Sequence, residues 1–295
     1  MSGLKLVIPY AVSDKTIPIL RDDLILAPGS LMLLDTSNGS QSQPAVIPAG
    51  LSTGLLPNIA WKECAAVLGT GDAASLAFSA YNNLSGTNGK FEITSKKGLH
   101  SLISQVNHTA TSQNSSVRIP LAIRNYIAAN PTHKYYVSTW VRQTRSFVTG
   151  IDFGVLVMNF STTGNYNVLQ SPSQVRIQGQ SAALEYRDAL AVNDLNPQIR
   201  NKAINALTGT PGGNGNSDLG FSLFANGGGL NAYGSVSVLN KCPSMIMYRA
   251  YIEDLTVSGR TYATVDAIDK QMYDAAFAVG GKFYGDSFTD PTTIA

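Results

Sequence analysis

Apolar and polar positions in this chain recur mostly at period two, in short runs broken by Gly, Pro, Asn and Ser. The best-marked stretch is Ser244–Gly281, which predicts one long strand, a Ser258-Gly259 turn and an amphipathic helix. In the strand, Ile246, Tyr248, Ala250, Ile252 and Asp254 alternate with Met245, Met247, Arg249, Tyr251 and Glu253. Both sets begin apolar, so the start of the strand is expected to be covered on both faces. Arg249 and Glu253 mark where it is expected to leave the core. In the helix Val265, Ile268, Met272, Ala275, Ala276 and Val279 recur at three- and four-residue spacing, flanked by Tyr273 and Phe277. Asp266, Asp269, Lys270, Gln271 and Asp274 fall mostly on the opposite face. Thr264 is placed to cap this helix and Gly280-Gly281 to stop it.

The rest of the chain divides into four parts. Residues 1–56 carry short apolar pieces (Leu4–Pro9, Ile17–Leu20, Leu24–Leu26, Leu31–Leu34) separated by prolines, which withhold ladder donors. They read as an extended N-terminal arm, lying on its own domain or on a neighbouring subunit. Residues 57–71 hold a short helix and linker, with Asn58 placed to cap and Gly69 to stop. Residues 72–260 give about nine or ten strand candidates between turn-rich loops. Among them are Leu76–Tyr81, Lys90–Thr94, Val117–Ile127, Tyr135–Val141, Ile151–Phe160, Ser173–Gln178, Leu219–Ala225 and Tyr233–Leu239. Leu99–Val106 fits a strand or a short helix. Ala182–Leu207 has helix-favouring composition, interrupted by Asn193-Asp194 and Asn196-Pro197. Residues 261–295 are the C-terminal helix and a tail expected to project outward. This is the pattern of a mainly β protein, an antiparallel β-sandwich of jelly-roll type with few, peripheral helices.

Composition narrows the partners. Only 14% of the 295 residues are charged and the formal net charge is +2, without a basic cluster. A direct nucleic-acid partner is therefore not expected. No run approaches a membrane span, and the N-terminus shows no apolar segment of the secretory type, so neither a membrane nor Sec export is expected. Cys64 and Cys242 read as two buried thiols rather than a disulfide framework.

Candidate chemistry is sparse. His100, His108 and His133 lack a metal-ligand frame and read as surface or capping residues. Gly212–Gly215 and Gly227–Gly229 lack the Lys and Ser/Thr of a phosphate loop. Glu253 and Asp254 point to opposite faces of their strand and cannot form an acid/base pair together. Glu92, Asp152 and Glu185 could meet only through tertiary folding, while Asp286 and Asp290 read as turn-capping or solvated. Asn83, Asn107, Asn114 and Asn159 stand in Asn-x-Ser/Thr triplets of the kind such a composition generates by chance. Catalytic, metal and cofactor residues are thus not expected. Tyr81, Tyr166 and Tyr233, near loops, are candidates for stacking on sugar rings.

KYYVSTWVRQTR and YRAYIEDLTVSGRTYATVDAID resemble strands of laminin-G-like, concanavalin-A-like jelly rolls, with Trp140 and Leu255–Ser258 in the positions of a central Trp and a closing turn. GSLMLLDTSNG, PNIAWKECAAVLGTGDAASLAF and GGKFYGDSFTDPTTI resemble segments of tailed-bacteriophage virion proteins. That resemblance implies a non-enzymatic structural component of a virion, associated with tail or baseplate, assembling through its arm and tail with other virion proteins and with copies of itself. The alternatives are a capsid decoration or head-surface protein, and a carbohydrate-binding module that attaches to a host surface glycan. A polysaccharide-degrading enzyme is the third and weakest class.

Overall fold

The computed structural model describes residues 23–38, 50–82, 84, 86–110, 115–146, 148, 153–160, 164–171, 186–187, 196–204, 219–222 and 239–294. The strands among them are β1 (Ser30–Asp35), β2 (Gly50–Leu56), β3 (Phe78–Asn82), β4 (Gly89–Ile93), β5 (Leu99–Ile103), β6 (Ser115–Arg118), β7 (Tyr135–Arg145), β8 (Phe153–Phe160), β9 (Gly164–Ser171), β10 (Tyr186–Arg187), β11 (Pro197–Ile204), β12 (Leu219–Ser222) and β13 (Ser244–Asp254). The helices are α1 (Trp61–Leu68), α2 (Leu121–Ala129), α3 (Leu255–Ser258) and α4 (Tyr262–Phe277). All pairing among the described strands is antiparallel, in a seven-stranded sheet ordered β10-β11-β7-β13-β5-β4, with β1 also on β13, and a six-stranded sheet ordered β2-β3-β6-β12-β8-β9. The protein is therefore mainly antiparallel β with few helices, consistent with a β-sandwich.

β13 is the hub. One edge pairs with β7 along its whole length; the other pairs first with β5, through Met245–Met247, then with β1, through Arg249–Glu253. Strict alternation fails at one point. Met247 faces Val141 and Arg249 faces the adjacent Trp140, so Tyr248 is an extra residue, a bulge that switches the face parity. Met245, Met247, Ala250 and Ile252 consequently join Val137 and Val141 of β7, and Leu56, Phe78 and Val117 of the other sheet, in the main core. Ile246, Tyr248, Arg249 and Tyr251 face the other way, under α4 and the C-terminal tail. The seven-stranded sheet is thus covered on both sides. All eleven residues of β13 are buried, so the expected exit from the core at Arg249 and Glu253 does not occur. Their charges are paired instead.

Several expectations are corrected by the same logic. The described part of residues 1–56 is built into the molecule's own sheets: β1 is fully buried on β13, and β2 is an edge strand. Gly29, at the entry to β1, lies so close to β13 that a Cβ would meet the Asp254 carbonyl oxygen at 2.2 Å. At the entry to α1, where Ala60 holds the N-cap position, Asn58 accepts from Ala60 N (3.1 Å). Its amide covers the outer edge of β1, accepting from Leu33 N (2.9 Å) and donating to Leu31 O (3.1 Å), which closes an edge that would otherwise be open. Gly69 does end α1, in the left-handed conformation. Val117–Ile127 splits into β6 and α2, because Pro120 needs no donor at a helix start and its extended backbone turns the chain into it. Within Leu99–Val106 the chain forms a strand, β5, over Leu99–Ile103. Within Ala182–Leu207 the described residues form β10 and β11, since the edge of β7 supplies the pairing that outweighs helix propensity. Thr261, not Thr264, caps α4. Val279 lies beyond the helix end and is 84% exposed. The tail folds back rather than projecting: Phe283 is buried against Trp140 and Tyr248, and Arg145 donates to the Pro291 and Ile294 carbonyls (3.0 and 2.7 Å). The strand expected at Ser173–Gln178, most of Tyr233–Leu239, and Gly212–Gly215 lie outside the described residues.

Candidate functional site

The polar side chains that the fold brings together lie on the α4-facing side of the seven-stranded sheet. Arg249, 1% exposed, donates through Nη1 to Asp23 Oδ2 (2.9 Å) and Asp35 Oδ2 (2.8 Å), and through Nη2 to Asp23 Oδ1 (2.8 Å). Its guanidinium lies 5.0 Å from the Trp140 ring centroid. Lys282 of the tail also bonds Asp35. Burial on its own raises the Asp35 carboxyl, but Arg249 and Lys282 more than reverse this and hold it below the usual carboxylate range. Next to this cluster, Asp269 of α4 is fully buried and accepts from Trp140 Nε1 (2.9 Å) and Tyr136 Oη (2.8 Å). Burial pushes its carboxyl up, against the pull of Arg249. Asp269 was expected on the solvent face. It stands instead on the buried stripe Val265–Asp269–Met272–Ala276, a spacing that was visible in the sequence once a polar residue was allowed on it.

Two imidazole–carboxylate pairs complete the polar interior. His133 Nδ1 lies 2.6 Å from Asp254 Oδ2, which also accepts from Tyr126 Oη (2.8 Å). The other oxygen of Asp254 caps α3 through Thr256 N and Val257 N. A carboxylate oxygen accepts, so Nδ1 of His133 is the donor of this pair. That is the orientation a base dyad needs. Its Asp, however, also holds a helix start, and the described thiol of that region, Cys64, is pushed by burial to about 12 and is no nucleophile at neutral pH. His100 is completely buried rather than surface-lying: Nδ1 donates to Glu92 (3.0 Å) across the β4–β5 ladder and Nε2 accepts from Thr144 (2.8 Å). His108 is buried as well. Burial of the ring is the largest influence on His100 and lowers its basicity. Glu92 also takes Thr289 N (2.8 Å) and Oγ1 (2.7 Å) from the tail.

Glu253 and Asp254 do lie on opposite faces, Glu253 accepting from Arg260 Nε (2.9 Å) and Tyr251 Oη (2.7 Å). Asp286 and Asp290 hold turns and neighbours: Asp286 takes Lys96 N, Ser95 and Tyr248, and Asp290 caps the turn Pro291–Thr293. Asp152 and Glu185 lie outside the described residues. Cys64 and Cys242 are free and buried. Among the described residues no group of His, Cys, Asp and Glu could hold a metal ion, and no helix is long and apolar enough to cross a membrane.

The tyrosines singled out for sugar stacking are not brought together. Tyr81 lies on β3 opposite Ser116 and Tyr166 on edge strand β9 opposite Met158. Between them run β6, β12 and β8, a separation of about 19 Å at the usual strand spacing. Their side chains, and Tyr233 altogether, lie outside the described residues. Trp140, placed by resemblance as the central Trp of a jelly-roll strand, is 0% exposed beneath α4.

A different aromatic cluster reaches the surface. An open cleft of about 280 Å³ runs between the C-terminal end of α4, the tail and the β7–β11 ladder, lined by Tyr273, Phe277, Phe283, Tyr284, Pro197 and Arg142. Tyr284 is 49% exposed, whereas Phe283 is 2% exposed and anchors the floor. Arg142 is stacked on Phe288 at 5.0 Å. Sequence reading passed over it because its members come from three separate segments.

No protein-family model matches the chain, and no curated protein sequence matches it. Among solved structures it is similar to the Trypanosoma rangeli sialidase bound to 2,3-difluorosialic acid as a covalent intermediate, at TM-score 0.35 and 11% identity, over 79% of this chain and 32% of that one. The same enzyme with sialic acid gives TM-score 0.32 and 10% identity, over 85% and 36%. This chain therefore spans about a third of the sialidase's length, and a likeness at that level carries no argument about activity.

Proposed function

We propose that the chain is a non-catalytic structural component of a bacteriophage virion, in the tail or baseplate, built on a laminin-G-like variant of the β-sandwich. The observation that carries this reading is how the buried ionisable groups are used. Arg249 ties Asp23 and Asp35 of the N-terminal segment to β13, Lys282 ties the tail to Asp35, and Glu92 ties the tail to β4. Charges that an enzyme would aim at a substrate here pin the described N-terminal segment and the C-terminal tail onto one sheet. That suits a building block that must keep its shape among neighbours. The layout of GSLMLLDTSNG and the C-terminal GGKFYGDSFTDPTTI, which resemble segments of virion proteins, supports the same reading. The test is mass spectrometry of particles purified from a host expressing this chain with its phage. The chain should be present at a fixed ratio to the major structural proteins and should cross-link to them. Its absence from particles while abundant in the lysate overturns the reading.

A further inference from the structure

We propose that the cleft between α4, the tail and β7 binds a carboxylated pyranose, the repeating acidic unit of a surface polysaccharide. The walls carry the first argument. Tyr273 and Tyr284 line it with rings that carry hydroxyls, and Phe277 and Pro197 add apolar surface. A pyranose has the matching amphipathy, with a C–H face that stacks on a ring and hydroxyls that stay in water. Tyr284 is half exposed at the mouth, which suits a ligand that remains partly hydrated better than an aromatic side chain seeking a dry pocket. Size is the second argument: at about 280 Å³ the cleft lies just below the roughly 300 Å³ at which sites for drug-sized ligands begin, leaving room for a single ring.

Charge fixes the class of sugar. Arg249 and Arg260 each have carboxylate partners, but Arg142 has no carboxylate in ion-pair range among the described residues. Phe288 stacks on its guanidinium and holds it at the cleft. Tyr248, which itself bonds Asp286, also meets the guanidinium, and a positioned, half-buried guanidinium that no carboxylate pairs among the described residues is a carboxylate receptor, since its planar fork matches two carboxylate oxygens. The proposal does not depend on the chain's place in a particle, and it is read on the isolated protein.

The experiment is calorimetric titration of the full chain with D-glucuronate, D-glucose and benzoate. Glucuronate should saturate one site with Kd on the order of millimolar, and glucose should bind about tenfold more weakly or worse. Tyr284→Ala, at an exposed position, should weaken glucuronate about tenfold without unfolding the protein. Arg142→Gln should abolish the preference for glucuronate over glucose. Absence of saturable glucuronate binding overturns the proposal, as does binding that Tyr284→Ala leaves unchanged. Saturable binding of benzoate with none of glucuronate also overturns it, in favour of an aromatic acid. Should Arg142→Gln fail to fold, the Tyr284 variant alone decides.

Discussion

The two faces of the seven-stranded sheet are built from different chemistry. Towards the second sheet, β7 and β13 present Val137, Val141, Met245, Met247, Ala250 and Ile252, with no charged group among them. Towards α4 and the tail they present Tyr136, Trp140, Tyr248, Arg249, Tyr251 and Glu253, whose polar atoms are met by Asp23, Asp35, Asp269, Asp286 and Arg260. The first face is adhesive but indifferent to detail, because apolar contact tolerates small shifts in packing. The second accepts one arrangement only. Tyr136, Trp140, Tyr248 and the Nη atoms of Arg249 each donate to a particular carboxylate on a segment distant in sequence, so α4, the tail and the N-terminal segment can seat in one way.

The largest effect that separates the faces is expected from Arg249→Met. The substitution keeps the bulk but leaves Asp23, Asp35 and Asp269 beside one another without their main cation, and removing one side of a buried ion pair costs about 3–5 kcal/mol. Urea unfolding reads it. A loss below about 1 kcal/mol would mean that the carboxylates find other partners, and that the outer face is as tolerant as the inner one. Asp269→Ala should cost less, about 1–3 kcal/mol, because it strands the Trp140 and Tyr136 donors rather than a set of charges. Its control on the inner face is Met247→Leu, a volume-conserving change expected to cost under about 1.5 kcal/mol. If the two cost the same, the distinction between the faces fails.

The inner face was the part legible in the sequence. Alternation along Tyr135–Val141 and the start of β13 marked both strands, and the Thr-rich, Gly-ended helix signal marked α4 to within three residues at its start. The outer face was not legible, for two physical reasons. The bulge at Tyr248 exchanges the faces of every later residue in β13, and no single-residue pattern announces it. Burial of Asp269, Arg249 and His100 depends on partners 44 to 226 residues away or on neighbouring strands, whereas a local window reads a charge as a solvated face. The cleft shares this second cause. Arg142, Pro197 and Tyr284 are brought together by the β7–β11 ladder and by the tail's return, neither of which has a local signature.

The finest test of the outer face is a pH dependence from His100. The ring touches Glu92 and Thr144 directly, with Asp286 and Lys90 acting at longer range, and Phe288 edge-on at 5.1 Å. Burial outweighs the pull of Glu92, so the folded protein holds the imidazole neutral at a pH where the unfolded chain, at its ordinary 6.5, already takes up a proton. The unfolded state then binds more protons, and stability must fall as the pH drops below 6.5. Glu92, held well below its ordinary 4.5, adds its own loss only under that value, which keeps the two windows apart. His100→Gln removes the proton site while retaining a hydrogen-bonding side chain. Between about pH 7 and pH 5 the unmodified protein should lose stability that the variant does not lose. Parallel pH profiles would show instead that the ring is protonated alike in both states, with Glu92 compensating burial in full, and the outer face would then hold a charged imidazole as readily as it holds Arg249.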